Sequence, residues 1–554
     1  MTTNKLFINC NRSLSFVFML TVLSFALIGG CGGSGNNSGD NGDNNGGNNN
    51  SLTFTDITLQ AGLNYSHGFV TSGPVSEPQL ISGGVAAGDY DNDGWVDIYV
   101  VRGPAGPNLL FKNNGNGTFS EVGQAAGVDV DNEIGSGPTF ADFSGDGYLD
   151  LFIGGIFPTK PRLFLNDGDG TFTDISAGKA LTSLSSINTF SAAFGDYDLD
   201  NDLDLLITHW NGQSQNESTE HLWRNNGDNT FSDVSLEAGI SATYDTVSEF
   251  TFTPNFADIN NNGYPDILMG SDFLTSQIFI NQKDGTFVNT TDTNVITDEN
   301  GMGASVGDYD NDGDLDWFVS SIYDPNMIAE LNWGISGNRL YRNKGDGTFE
   351  DVTLSAGVEH GFWGWASCMY DLDNDGNMDI VHVNGFRSPF DPDTTVEFDQ
   401  DPSRIFMSNG NGTFTEKAAQ LGFNDTDQGR GIVCFDFDRD GDVDIFVANN
   451  NQPPSLYRND GGNENSFLKI SLNGISMNTE GIGARVEVTT GNTVQMRELS
   501  AGSNFVSQNP VIAHFGLAQR QIADEVKVSW PDGNTTTLQN VPVNQFMTID
   551  HPDL

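Results

Sequence analysis

Asp89, Asp91, Asp93 and Asp97 stand at positions 1, 3, 5 and 9 of the nonapeptide DYDNDGWVD. The pattern D-x-D-x-D-G-x-x-D returns six more times in the 554 residues, beginning at Asp142, Asp196, Asp258, Asp308, Asp371 and Asp436, at intervals of 50 to 65 residues. Closely spaced side-chain oxygens around a glycine turn form the donor set of a hard cation, and Ca2+ takes about six to eight oxygens at roughly 2.3–2.6 Å. Alternate positions aim three side chains inward, position 7 offers its carbonyl, and position 9 closes the cage. The assigned ligands of the first loop are therefore Asp89, Asp91, Asp93 and Asp97 with the carbonyl of Trp95. Those of the fifth are Asp308, Asp310, Asp312 and Asp316 with the carbonyl of Asp314. Those of the sixth are Asp371, Asp373, Asp375 and Asp379 with the carbonyl of Asn377, and those of the seventh Asp436, Asp438, Asp440 and Asp444 with the carbonyl of Asp442.

Three loops depart from that set. The second has Asp142, Asp146 and Asp150 with the carbonyl of Tyr148, but Ser144 at position 3. The third has Asp196, Asp198, Asp200 and Asp204 with the carbonyl of Asp202, but Asn201 in place of glycine; asparagine is the next best residue for a positive φ. The fourth has only Asp258 and Asp266, with Asn260 and Asn262 as neutral oxygens and the carbonyl of Tyr264. It is expected to bind weakest. Carboxylates this close repel one another without a cation, so up to seven Ca2+ are expected. Seven dications would bring the formal charge from −52 to −38. The sites read as structural, because a filled cage leaves little room for a substrate.

Each loop needs elements to hold it. Small or apolar residues precede every copy, and β-branched or apolar runs such as DIYVV, DLLIT and DIFVA follow it, which reads as strand, tight loop, strand. Further on in six repeats come a short apolar segment, Asn or Ser, a Gly-rich turn and Phe, as in LLFKNNGNGTF and LYRNKGDGTF. Asn-Gly and Asp-Gly are hairpin signals because they tolerate positive φ. Each repeat thus holds four strands, A and B around the acidic loop, then C and D around the Gly turn. Strands A, B and C occur seven times, but the seventh repeat ends at LYRND with no strand D after it. The ordered part of the chain opens with LTFTDITLQAG, which matches GTFEDVTLSAG at 347–357. The missing strand lies at the other end of the chain. The predicted fold is all-β, a seven-bladed β-propeller over 52–460 closed by the N-terminal strand. Closure also protects sheet edges that a linear array would leave open.

Residues 1–30 carry Lys5 and Arg12, an uncharged apolar run and Ile28-Gly29-Gly30 before Cys31, the pattern of a secretory signal. Cys31 after small residues resembles a bacterial lipoprotein box, which implies a lipid on Cys31. Residues 31–51 are nearly all Gly, Asn, Ser and Asp, a flexible spacer. The expectation is an exported protein, lipid-anchored to a bacterial envelope at the outer membrane or cell surface, touching the membrane only through that lipid.

Residues 461–554 form a separate module with alternating segments such as FLKISLNG and EVKVSWPDG, expected to be a small antiparallel β-domain. The repeats resemble FG-GAP/VCBS repeats, the blade unit also seen in integrin α-subunit propellers. GIGARVEV at 481–488, SAGSNFVSQNP at 500–510, HFGL at 514–517 and VSWPDG at 528–533 are similar to an ASPIC/UnbV domain. Propeller and tail together resemble the layout of the cartilage acidic protein family and its bacterial relatives. That resemblance implies an extracellular calcium-binding protein of adhesion or recognition, with no settled catalytic motif.

With 23 Lys and Arg against 75 Asp and Glu, the chain is a poor partner for nucleic acid. No HExxH, GxSxG elbow, phosphate-binding loop or zinc-spaced Cys pair is present. His209 and His382 follow B strands and read as structural. Cys368 and Cys434 each sit in an apolar run before an acidic loop; they read as buried small residues or as a disulfide between neighbouring repeats. Loops lengthened at 210–221, 323–337 and 385–404, with Phe362, Trp363 and Trp365 nearby, are candidate contacts for a partner, although core packing suits these aromatics better. The functional expectation is a non-catalytic, calcium-stabilised recognition protein that binds an extracellular protein or glycan through propeller-face loops. The alternative is a secreted lyase or hydrolase acting on a polysaccharide, which paired carboxylates or a His/Tyr/Arg cluster converging on the channel would favour.

Overall fold

The computed structural model describes residues 52–68, 75–177, 181, 188–210, 220–240, 250–324, 334–390, 395–475, 477–502 and 504–554. The expected signal segment, the spacer and Cys31 lie outside the described residues, as do parts of the three lengthened loops. Among the described residues no helix is long and apolar enough to cross a membrane.

The chain is all-β, built from repeated four-stranded antiparallel sheets with propeller-like organisation. The first contains strand A at Val85–Gly88, then Asp97–Val100, Leu109–Asn113 and Phe119–Glu121. Six more sheets follow the same order, with A strands at Gly135–Ala141, Thr189–Gly195, Thr251–Ala257, Ala304–Gly307, Gly364–Tyr370 and Gly429–Phe435. The sheet of the seventh repeat takes its fourth strand from the N-terminus. Thr53–Asp56 pairs antiparallel with Ser455–Asp460, Thr53 opposite Asp460 and Asp56 opposite Tyr457. Phe54 is buried, and its N–H donates to Leu421 O of the preceding repeat at 2.6 Å. The A and B strands are almost wholly buried, which is why they read as continuous apolar runs.

Cys368 and Cys434 are buried and joined in a disulfide across the neighbouring A strands of the sixth and seventh repeats, with Cα atoms 6.5 Å apart. Of the two readings, the disulfide between neighbouring repeats is the one found, rather than two free thiols. Trp363 and Trp365 lie in the core, 5% and 2% exposed.

The tail departs from expectation in two ways. It is not purely antiparallel, because Phe467–Asn473 pairs in parallel with Gln545–Asp550 as well as antiparallel with Ala513–Gly516. A parallel pair needs a long crossover, and the second sheet supplies it (Thr493–Glu498, Arg485–Thr490, Ile522–Ser529 and Thr535–Pro542). Nor is the tail packed separately. Its Leu468, Ile470, Val486 and Val526 share one apolar cluster with Phe143, Phe194 and Trp223 of the second and third repeats.

Residues 504–509 of the tail run among the A strands of all seven sheets. Ser507–Gln508 pairs in parallel with Val85–Ala86. Gln508 Nε2 donates to Phe140 O at 2.7 Å, and Val506 N–H donates to Ser191 Oγ at 3.1 Å. Phe505 meets the rings of Phe190, Phe252 and Trp365 at 6.2, 5.1 and 5.3 Å. Ser305 Oγ lies 3.5 Å from Asn504 Oδ1, and Ile432 and Cys434 donate their N–H groups to Ser507 Oγ and Asn509 Oδ1. Backbones approach so closely that a side chain at Gly502 (φ 98°) would place its Cβ 2.3 Å from Ala192 O.

Candidate metal centres

Strand A delivers each acidic loop and strand B leaves from its last carboxylate. In all seven loops the position-1 carboxylate accepts the N–H groups of positions 5 and 6, at 2.7–3.2 Å. The position-5 side chain accepts the N–H of position 7. These bonds wrap the backbone around a shared centre. They require left-handed residues at position 6, such as Gly94 (φ 88°) and Asn201 (φ 72°). They also require them at position 4, where Asn92, Leu199, Asn261, Asn311, Asn374 and Arg439 all have φ between 54° and 59°. The sequence reading did not single out position 4, although asparagine stands there in four loops.

Position 3 tests whether the loops fit a cation. Asp91, Asp198, Asp310, Asp373 and Asp438 each bury an Oδ1 with no hydrogen-bond partner, and Asn260 does the same in the fourth loop. A buried oxygen without a donor costs roughly 1–3 kcal/mol; repeated six times at one position, it fits the donor set that an oxygen-seeking ion would take. The carboxylates at positions 1, 3 and 9 converge within 4.8 Å in the first, third, fifth and sixth loops. Ser144 differs, its Oγ bonding Asp142 Oδ1 at 3.3 Å. Thr479 of the tail also donates to Asp142 Oδ2 at 2.6 Å, so the second loop is partly satisfied from within the protein.

The electrostatics agree. Burial pushes the position-9 carboxyls Asp97 and Asp150 up to about 8, Asp266 to about 7 and Asp316 to about 9, against the pull of a strand-C N–H and with neighbouring carboxylates adding to the rise. Burial also raises Asp204, Asp379 and Asp444. Carboxylates packed this tightly take up a positive charge, either protons or a metal.

The strand-C asparagine does more than turn the chain. Asn113 donates its N–H to Asp97 Oδ1 at 2.7 Å, fixing position 9. Its side chain donates to Phe437 O at 2.8 Å, in the loop of the seventh repeat. Asn166, Asn225, Asn281, Asn343 and Asn459 reach the position-2 carbonyl of the preceding loop in the same way, at 2.7–3.0 Å. In the sixth repeat Ser408 occupies this place and only its N–H bonds the loop, to Asp379 at 2.7 Å. Position-4 side chains add a second belt: Asn92 bonds Gly147 O, Asn374 bonds Gly441 O, and Arg439 of the seventh loop bonds Gly94 O of the first.

His209 and His382 are buried, His209 Nδ1 lying 3.2 Å from Thr189 Oγ1 and His382 accepting from Asn338 Nδ2 at 3.1 Å. Burial holds His382 down to about 3. A cluster the sequence reading missed, Asp532, His551 and Asp553, gathers ligand-type atoms within 4.8 Å. His551 Nδ1 accepts the N–H of Asp553 at 3.2 Å, so the proton sits on Nε2, which donates to Asp532 at 3.1 Å. Neither ring nitrogen keeps a lone pair for a metal.

A chain of repeated four-stranded sheets, each carrying an acidic loop between its first two strands, is a propeller-like repeat protein. More narrowly, it belongs to the FG-GAP-like repeat family, whose model matches residues 89–153, 143–207, 212–269, 258–319, 328–382 and 392–447. The family described as ASPIC and UnbV matches 474–554. Among curated relatives, cartilage acidic protein 1 of Xenopus tropicalis is 25% identical over 529 residues, covering 86% of this chain and 75% of that protein. The Mus musculus protein of the same name is 24% identical over the same shares. Among solved structures, an Agrocybe aegerita lectin that recognises non-reducing terminal N-acetylglucosamine aligns at TM-score 0.39 and 20% identity, covering 66% of this chain and 88% of that one. A rhamnogalacturonan lyase of Bacillus licheniformis aligns at 0.38 and 13%, covering 73% and 75%.

Proposed function

We propose that the chain is a non-catalytic recognition protein whose seven sheets close into a ring, with calcium in the acidic loops on one end and a partner-binding surface on the other. The observation that carries the metal half is the row of buried, partnerless position-3 oxygens. Ring closure is supported by the pairing of Thr53–Asp56 with the seventh sheet and by the bonds from Asn113 and Arg439 across the first and seventh repeats. The second loop, like the fourth, is a weak site on this reading, since Ser144 and Thr479 already engage Asp142.

The opposite end is formed by the connections between strands B and C. There Phe157, Phe273, Leu274, Ile335, Phe390 and Val396 are 45–61% exposed, and Phe273 and Leu274 are both left-handed, at φ 57° and 61°. Exposed apolar side chains gathered at one end of a sheet assembly suit contact with a protein or the apolar face of a sugar. Tail residues 504–509 occupy part of the space among the A strands, through Phe505 and Gln508, and this favours recognition at the end over chemistry between the A strands.

The test is capture of envelope glycans and proteins by the calcium-loaded full chain and by a Phe273→Asp, Phe390→Asp variant. The reading expects binding that the double substitution abolishes at unchanged melting temperature. Equal binding by both proteins contradicts it. Incorporation of radiolabelled fatty acid, lost in Cys31→Ser, tests the anchor.

A further inference from the structure

The seventh loop is as rich in acid as any, with Asp436, Asp438, Asp440, Asp442 and Asp444, yet it already holds a positive charge. Lys469 of the tail places its Nζ 2.6 Å from Asp436 Oδ2 and 2.7 Å from Asp442 O. These are the position-1 carboxylate and the position-7 carbonyl, two of the five groups assigned to the metal.

We propose that the Lys469 ammonium is the resident cation of the seventh loop, so that this loop takes no calcium while the tail is docked. The inference rests on the calcium reading above and subdivides it. A dication bound to Asp436 and the Asp442 carbonyl would have the ammonium as an unscreened neighbour. Lys469 has almost no access to bulk water, the ion pair being only 5% and 2% exposed on its two sides. Its strand is paired on both edges, Lys469 opposite His514 and Phe546, and the Phe546 ring lies 5.7 Å from Nζ.

The tail also covers the loop from outside. Asn463 donates its N–H to Asp442 at 3.2 Å and its side chain to Asp440 O at 3.3 Å. A Cβ on Gly441 would fall 2.0 Å from the Phe467 ring. The first loop gives the contrast. Lys112 also reaches its loop, pairing with Asp91 and lying 2.9 Å from Asp93, but Lys112 is about a third exposed and can swing into water when a metal arrives. Asp438 keeps one buried oxygen without a partner; that residual pull on a cation is what the experiment measures.

Calcium bound per chain is measured by elemental analysis and equilibrium titration on the full chain, its substitutions checked for folding by circular dichroism. Lys469→Met is expected to bind one ion more than wild type. Asp438→Asn is expected to leave the count unchanged, whereas Asp310→Asn in the fifth loop lowers it by one. If Lys469→Met fails to fold, the two Asp→Asn variants decide alone. A count unchanged in a folded Lys469→Met, or lowered by Asp438→Asn, overturns this inference while calcium binding elsewhere stands. No calcium in wild type or any variant overturns the calcium reading and this inference together.

Discussion

The acidic loops and the tail segment at 504–509 engage the same seven sheets by opposite chemistry. The loops are polar, made from nine consecutive residues, and repeated, each tied to a neighbour by an asparagine or a position-4 side chain. The tail segment occurs once, comes from outside the repeats, and works largely by an aromatic ring wedged between Phe190, Phe252 and Trp365. The rim should therefore answer to ions and pH, and the axis to volume.

The largest effect expected from a single substitution is at the axis. Phe505→Ala removes a fully buried ring and should cost about 3–5 kcal/mol of stability. Denaturant unfolding should show that loss equally with and without calcium. A loss that vanishes in chelator would mean that axis and rim are one device.

A single rim site comes next. Asp91→Asn in the first loop should remove one bound ion and, at calcium about a hundredfold above the site's Kd, up to about 2.7 kcal/mol. In chelator the same substitution should be neutral or stabilising, because it relieves repulsion among carboxylates. Calcium titration and unfolding of the same samples check both halves.

The smallest effect separates the ends by pH. Burial pushes Asp272 and Asp298 up to about 6 and Asp425 to about 7, at the end away from the loops. Their folded values lie above the unfolded value near 3.9, so the fold holds protons that the unfolded chain has released. Their stabilising contribution is complete below about pH 4, declines as pH rises through the window and is lost above about 7. Melting in chelator should therefore fall with pH across that range, the metal-free rim carboxyls Asp97, Asp150 and Asp316 carrying the decline on to about 8–9, and Asp425→Asn should flatten only the part near 7. Bound calcium works in the other direction at the rim, since it competes with protons and gains as pH rises.

The rim was legible because its information is local. Spacing alone singled out positions 1, 3, 5, 7 and 9 as candidates, of which the carboxylates at 1, 3 and 9 converge in the first, third, fifth and sixth loops, and the strand deficit at LYRND pointed to the N-terminal segment that pairs there. What the rim hid was longer in range. Asn113 reads as part of a hairpin turn, and nothing in its neighbourhood shows that its amide reaches Phe437 O, 324 residues away. Position 4 escaped notice because leucine and arginine also adopt the left-handed turn there when the flanking bonds require it. The axis was illegible for a different reason. SAGSNFVSQNP has one large apolar residue and no period, so it reads as a loop. Only the packing together of A strands from different repeats gives Phe505 a pocket and Gln508 a backbone to bond. Cys368 and Cys434 fall between the two cases, since their apolar runs are visible but their pairing depends on which A strands are neighbours.

The central claim is that divalent ions hold the rim. Thermal unfolding of the full chain in calcium and in EGTA, at equal ionic strength and protein concentration, tests it most directly. The account predicts a transition that climbs with free calcium and falls sharply in chelator. Superimposable curves in the two buffers would contradict it.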